Sequence, residues 1–115
     1  MANTKNRPPD FKSEQALGIL GNHIATWRRL HDLTQDKVAQ RAGVSRGAVV
    51  RLENGHPGVS LDVFVRVLSV IKSLDSMLEG VDPFNTEFGR LRADMSLRKR
   101  VIRGTKRSPQ RDAKK

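Results

Sequence analysis

LTQDKVAQRAGVSRGAVVRLENG, residues 33–55, decides the fold. It holds two short helical patterns separated by a turn signal. In the second, Ser45 is a good N-cap, because its hydroxyl can accept a bond from an unpaired amide of the first turn. On a 3.6-residue period Ala48, Val49 and Leu52 share one face, while Arg46, Gly47, Val50, Arg51 and Asn54 fall on the other. The apolar face must dock on something, which leaves the polar face for solvent or a ligand. Asn54-Gly55 supplies the left-handed stop expected just past a helix end.

The first pattern starts at Thr34, another N-cap, and runs from Gln35 to about Arg41. Val38 and Ala42 share its inner face, and Leu33 packs just before the cap. Ala39 is small where a second helix must cross closely, and Gly43 sits where the turn needs a positive φ. Counted from Gln35, alanine is fifth, glycine ninth, valine fifteenth and leucine eighteenth. A steep crossing of two helices through a short turn constrains those positions together.

Working outward, Met1–Pro9 is polar and ends in Pro8-Pro9, which marks residues 1–12 as a flexible arm. A first helix is predicted from Ser13 to His31, with Leu17, Leu20, Ile24, Trp27 and Leu30–His31 as its inward stripe. Ser60 caps a fourth helix reaching Ile71, whose Leu61, Phe64, Val65, Leu68 and Ile71 have helical spacing. A short fifth helix is predicted near Leu74–Leu78, a break at Gly80–Pro83, and a helical turn over Thr86–Ala93. From Met95 onward the composition is too basic and polar to expect packing. The organisation is therefore an arm (1–12), an all-α domain (13–80) and a basic C-terminal extension (81–115). No internal repeat is visible.

Composition narrows the function. A chain of 115 residues supports one domain and a modest core. It has no cysteine, which excludes disulfides and thiolate metal sites. Leu61–Ile71 is apolar but is interrupted by Asp62, Arg66 and Ser69, so no membrane span or signal core is expected and the predicted location is cytoplasmic. The formal net charge of +10 points to a polyanionic partner. That excess is uneven: residues 1–88 carry eleven Lys/Arg and ten Asp/Glu, residues 89–115 eleven and two.

Leu20-Gly21, Ile24, Arg28, Leu33-Thr34-Gln35, Ala39, Gly43-Val44-Ser45, Arg51 and Leu52-Glu53-Asn54-Gly55 together resemble the phage-repressor helix-turn-helix family, also called Cro/CI or XRE. The resemblance covers roughly residues 16–80. It implies a five-helix, lambda-repressor-like DNA-binding domain followed here by a flexible basic tail. It also implies a dimer that sets the second helix of the motif in the major groove of double-stranded DNA. Gln35 matches the family's phosphate-contacting glutamine, with a solvent-exposed helix start as the plainer reading. Ser45, Arg46, Gly47, Val50, Arg51 and Asn54 fall on the expected DNA-binding surface. Arg28 and Glu53 match the family's buried ion pair between the first and third helices, a structural role.

Each of these positions also has a plainer reading. Arg46 and Arg51 suit guanine O6 and N7 in bidentate geometry, but they equally suit a solvated face. Gly47 departs from the polar residue often found there and costs about 1 kcal/mol against alanine. Close backbone approach to DNA explains it, and so does a position that reads no base. Val50 is either a contact for a thymine methyl or an exposed valine. Arg29, Lys37 and Arg41 are possible backbone clamps or ordinary surface charges. His23, His31 and His56 lack metal-ligand spacing, and no nucleophile–base pair or phosphate-cradling glycine loop is present. No enzyme activity and no cofactor are expected.

The tail separates the remaining functions. Asp82-Pro83-Phe84, Thr86-Glu87-Phe88-Gly89-Arg90 and Leu97-Arg98-Lys99-Arg100-Val101-Ile102-Arg103 resemble small antitoxins of the HipB type. That resemblance implies a repressor that binds its own inverted-repeat operator as a homodimer and also binds a HipA-like kinase toxin. A stand-alone phage- or plasmid-type repressor is the alternative. A protein-interaction module without specific DNA binding is a third. Phe64, Leu68, Leu74, Met77 and Leu78 supply apolar material for a core or a dimer face.

Overall fold

Thr34, Ser45 and Ser60 each stand one residue ahead of a helix and cap it. Thr34 Oγ1 accepts from the Lys37 amide at 3.0 Å, Ser45 Oγ from Ala48 at 3.1 Å, and Ser60 Oγ from Val63 at 3.1 Å. In the computed structural model, which describes residues 7, 8 and 10–103, they open α2 (Gln35–Ala42), α3 (Arg46–Glu53) and α4 (Leu61–Val70). A long α1 (Phe11–Leu30) precedes them, and α5 (Leu74–Val81), a 3₁₀ turn (Pro83–Asn85) and α6 (Glu87–Arg103) follow. The architecture is all-α, with no strand among the described residues. The parts of the expected flexible arm and tail at residues 1–6, 9 and 104–115 lie outside the described residues.

Two glycines make the turns possible. Gly43 ends α2 at φ 73° and Gly55 follows α3 at φ 74°, both in the left-handed region. Gly55 meets a second demand: a Cβ there would stand 2.9 Å from the Leu17 carbonyl oxygen of α1.

The described residues form two compact units that divide after Asp75, inside α5. In the first unit α2 packs on α3 and α4, and α1 packs on α3. Ile24, Val38, Val49, Val67 and Ile71 close its core. This corrects two stripes. On α1 the buried residues are Gly21, Ile24 and Ala25, whereas Trp27 and Leu30 remain 47% and 66% exposed. The reason is the crossing with α3, which is so close that small residues carry it. Trp27 instead stacks on His31 at 5.9 Å between ring centroids, and His31 Nε2 donates to the Ile71 carbonyl at 2.9 Å. On α4 the buried face is Val67 and Leu68, with Ile71 as C-cap. Leu61, in the first turn, is exposed. Leu68 thus belongs to the core, while Phe64 and Leu74 are half-buried.

In the second unit α5 runs past the expected Leu78 to Val81, and the break expected over Gly80–Pro83 falls at Asp82. The chain then turns through a dense set of local bonds. Asp82 Oδ1 accepts from Phe84 N–H at 2.9 Å, and Asn85 Nδ2 donates to Glu79 O at 2.9 Å. Thr86 Oγ1 accepts from Gly89 N–H at 3.0 Å, and Arg90 Nη1 donates to Phe84 O at 2.8 Å. The helical turn expected over Thr86–Ala93 is the first half of α6, which runs on to Arg103. Arg, Leu, Lys, Met and Ala are strong helix formers, so this segment can hold secondary structure without burial. No residue of α6 whose side chain is described is buried.

The α1–α3 crossing generates a prediction. A Cβ at Gly21 would strike the Glu53 carbonyl oxygen and lie 2.8 Å from that of Leu52, whereas one at Gly18 would meet nothing within 4 Å. Gly21→Ala should therefore destabilise the chain by about 1–3 kcal/mol. Gly18→Ala on the same helix should gain up to about 1 kcal/mol. Urea melts of the two variants against wild type check the opposite signs.

Candidate nucleic-acid interface

The polar face of α3 is set by a knot of charge behind it. Arg28 Nε donates to Glu53 Oε2 at 2.7 Å and Arg28 Nη2 to Glu53 Oε1 at 3.1 Å, a two-pronged pair. Arg28 Nη1 donates to the Leu33 carbonyl at 3.0 Å, and Gln35 Nε2 donates to Glu53 Oε1 at 3.0 Å. The two ionic side chains are only 11% and 6% exposed. Charges removed from water to this degree need their remaining bonds filled, and these are. Among the described residues no buried side-chain nitrogen or oxygen lacks a partner. The knot ties together α1, the link after it, the first residue of α2 and the last residue of α3.

Gln35, expected at a phosphate, thus has its side-chain amide turned onto Glu53. What α2 offers outward at its start is backbone. Thr34 takes the Lys37 amide, which leaves the Gln35 and Asp36 N–H groups at the positive end of the helix. Asp36 is exposed there, and its Oδ1 pairs with Arg46 Nε at 3.2 Å.

On α3 itself Ser45, Arg46, Gly47, Arg51 and Asn54 are exposed, and Val50 is half-buried. They lie opposite Ala48, Val49 and Leu52, which are buried. Asn54 is the C-cap, its N–H bonded to Val50 O at 3.0 Å. Gly47 acquires a local explanation: a Cβ there would stand 3.4 Å from Arg51 Nη1. The Arg51 guanidinium folds back one turn across the bare glycine, so a side chain longer than alanine would displace it.

Two supporting residues were missed in the sequence. Arg66 Nη1 donates to the Ala42 carbonyl at 3.1 Å while its Nε holds Asp62 at 2.9 Å, which closes the C-terminal end of α2. Only the four-residue Asp62–Arg66 spacing hinted at it. His56 Nδ1 accepts from Gly58 N–H at 2.8 Å, which shapes the loop after α3. Among the described residues no group of three or more His, Asp or Glu is placed to hold a metal ion. None of the described helices is long and apolar enough to cross a membrane.

Two capped helices, a positive-φ glycine between them and a polar outer face on the second define a helix-turn-helix. Residues 24–75, a little under half of the chain, match the helix-turn-helix family. Among curated proteins the chain is similar to the antitoxin PezA of Streptococcus pneumoniae serotype 4 (strain ATCC BAA-334 / TIGR4), at 34% identity over 73 residues. That match takes in 57% of this chain and 46% of the relative, so the chain spans less than half of the relative's length. No solved structure gives a significant match.

The knot and the glycine slot each generate an expectation. Glu53→Ala leaves Arg28 buried without its counter-charge and should cost about 3–5 kcal/mol. Asp36→Asn, at the exposed pair with Arg46, should cost less than about 1 kcal/mol. Gly47→Ala should raise stability by about 1 kcal/mol. Thermal melts at neutral pH order the three variants, and a Glu53→Ala protein with the wild-type midpoint would contradict the knot.

Proposed function

We propose that the chain is a sequence-specific DNA-binding repressor that acts in the cytoplasm and binds an inverted-repeat operator as a homodimer. The observation that carries this reading is the outward face of α3. Arg46 opens that helix and the Arg51 guanidinium folds back over Gly47, and both arginines are exposed. Arginine pairs with guanine O6 and N7 in two-pronged geometry in the major groove. Val50, half-buried beside them, suits a thymine methyl. The amides opening α2 face a phosphate, with Gln35 fixed beside them by Glu53, and Ser45 and Asn54 bond the backbone at either end of α3. Two copies of α3 would enter successive major grooves about 34 Å apart. Repression would follow from excluding polymerase at an overlapping promoter. Nothing in this scheme calls for a catalytic group or a cofactor.

The likeness to an antitoxin supports a second activity in the same chain, neutralisation of a toxin encoded beside it. The HipB-like pattern of residues 82–103 favours a HipA-like kinase as that toxin. Homodimer formation has exposed apolar side chains at its disposal in Trp27 and Leu30 of the first unit and Leu78 of the second.

A footprint of the purified protein on its own upstream DNA near physiological salt tests the repressor reading. The expected result is a short symmetric footprint that an Arg46→Ala/Arg51→Ala variant loses while keeping its fold. No footprint from the folded wild type would overturn it. Each arginine removed from a base pair should cost about 1–3 kcal/mol of discrimination there.

A further inference from the structure

Residues 33–55 hold two carboxylates, Asp36 and Glu53. Glu53 is enclosed in the knot with Arg28 and Gln35. Asp36, in the first turn of α2, is therefore the one exposed carboxylate of the motif, on a surface proposed to meet a polyanion. A carboxylate turned towards phosphates weakens binding, so its presence there needs a reason. Its place at a helix start offers a plain one, because negative charge is favourable beside the first-turn amides. That reason does not account for where the side chain goes. Asp36 Oδ1 stands 3.2 Å from Arg46 Nε although both side chains are largely exposed, and the pair joins the first turns of α2 and α3.

The nitrogen engaged matters. A carboxylate at Nε leaves Nη1 and Nη2 as the edge of the guanidinium that can meet guanine O6 and N7 together. It also restrains a long side chain that would otherwise lose rotamer freedom on binding. Answering the charge has a further effect. An arginine beside a carboxylate attracts any phosphate less, yet still donates two bonds to the neutral edge of a base. Arg51 offers the contrast. Its guanidinium lies over Gly47, and among the described residues it pairs with no carboxylate.

We infer that Asp36 is a positioning residue for base recognition. It aims Arg46 at a guanine and lowers that arginine's pull on phosphate, so that α2 contributes to sequence discrimination without touching a base. The inference rests on the proposed DNA-binding reading and adds to it a residue outside the recognition face of α3.

The test is selection from a duplex library randomised over about 20 base pairs, two helical turns. The full chain is compared with Asp36→Ala, Arg46→Ala and the double variant, and thermal melts show that each is folded. Wild type should enrich a two-fold motif in which Arg46→Ala erases the preference at one guanine of each half. Asp36→Ala should cut the preference at that same guanine roughly three- to tenfold. It should leave the other positions as they are and raise affinity for unrelated duplex. In the Arg46→Ala background the loss of Asp36 should change nothing further at that guanine. Asp36→Glu, which keeps the charge, should restore part of the preference.

The inference alone is overturned if wild type enriches a motif and Asp36→Ala keeps it, with affinity raised for every sequence alike; Asp36 is then only a charge at a helix start. It is also overturned if the lost preference lies at a base pair that Arg46→Ala does not affect, since Asp36 would then read a base itself. A folded wild-type chain that enriches no sequence would overturn the repressor reading and this inference with it.

Discussion

The bonded pair between Arg28 and Glu53 is the constraint on which the rest of the first unit depends. The helix that presents the polar face has 8 residues, about 12 Å of length, and a helix that short does not hold together alone in water. Its position has to be imposed from outside. Ser45 fixes its start, Val49 anchors its middle in the core, and Glu53 fixes its end to α1 and to Gln35 of α2. A buried ion pair adds little net stability over an apolar pair of the same shape, but losing one partner is severe. In a domain stable by roughly 5–15 kcal/mol, such a loss removes a large share of the total. The pair is therefore better understood as fixing the angle between helices than as a store of stability.

Close backbone approach reinforces the same geometry. Gly21 lets α1 lie against the Leu52–Glu53 carbonyls, and Gly55 lets the chain leave α3 beside Leu17 and Gly18. These contacts put Arg28 within reach of Glu53. The outer face of α3 then lies opposite Ala48, Val49 and Leu52, whose enclosure is complete or nearly so. Electrostatics on that face are restrained, since Arg46 is partly answered by Asp36. The excess positive charge lies instead toward the C-terminal end of the chain.

The motif was legible in the sequence because several independent demands converge on it. The caps at Thr34, Ser45 and Ser60, the left-handed glycines and the buried positions of α2 and α3 each follow from local rules. The α1 stripe was misjudged because periodicity favours large apolar side chains such as Trp27 and Leu30, while this crossing is carried by Gly21 and Ala25. The length of α6 was missed for a different reason. Absence of a core does not imply absence of helix: local propensity and the capped turn at Asp82–Thr86 suffice to form it. Side-chain alliances such as Arg66 with Ala42, or Arg51 across Gly47, depend on three-dimensional neighbours that one sequence does not announce.

DNA recognition is proposed for the α2–α3 face, and amide chemical-shift mapping tests that most directly. An isotopically labelled chain would be titrated with a duplex carrying its upstream operator. The largest shifts should fall at Thr34–Lys37 and Ser45–Arg51, with α4 and α6 little changed. Shifts confined to α6, or spread evenly along the surface, would contradict the central claim.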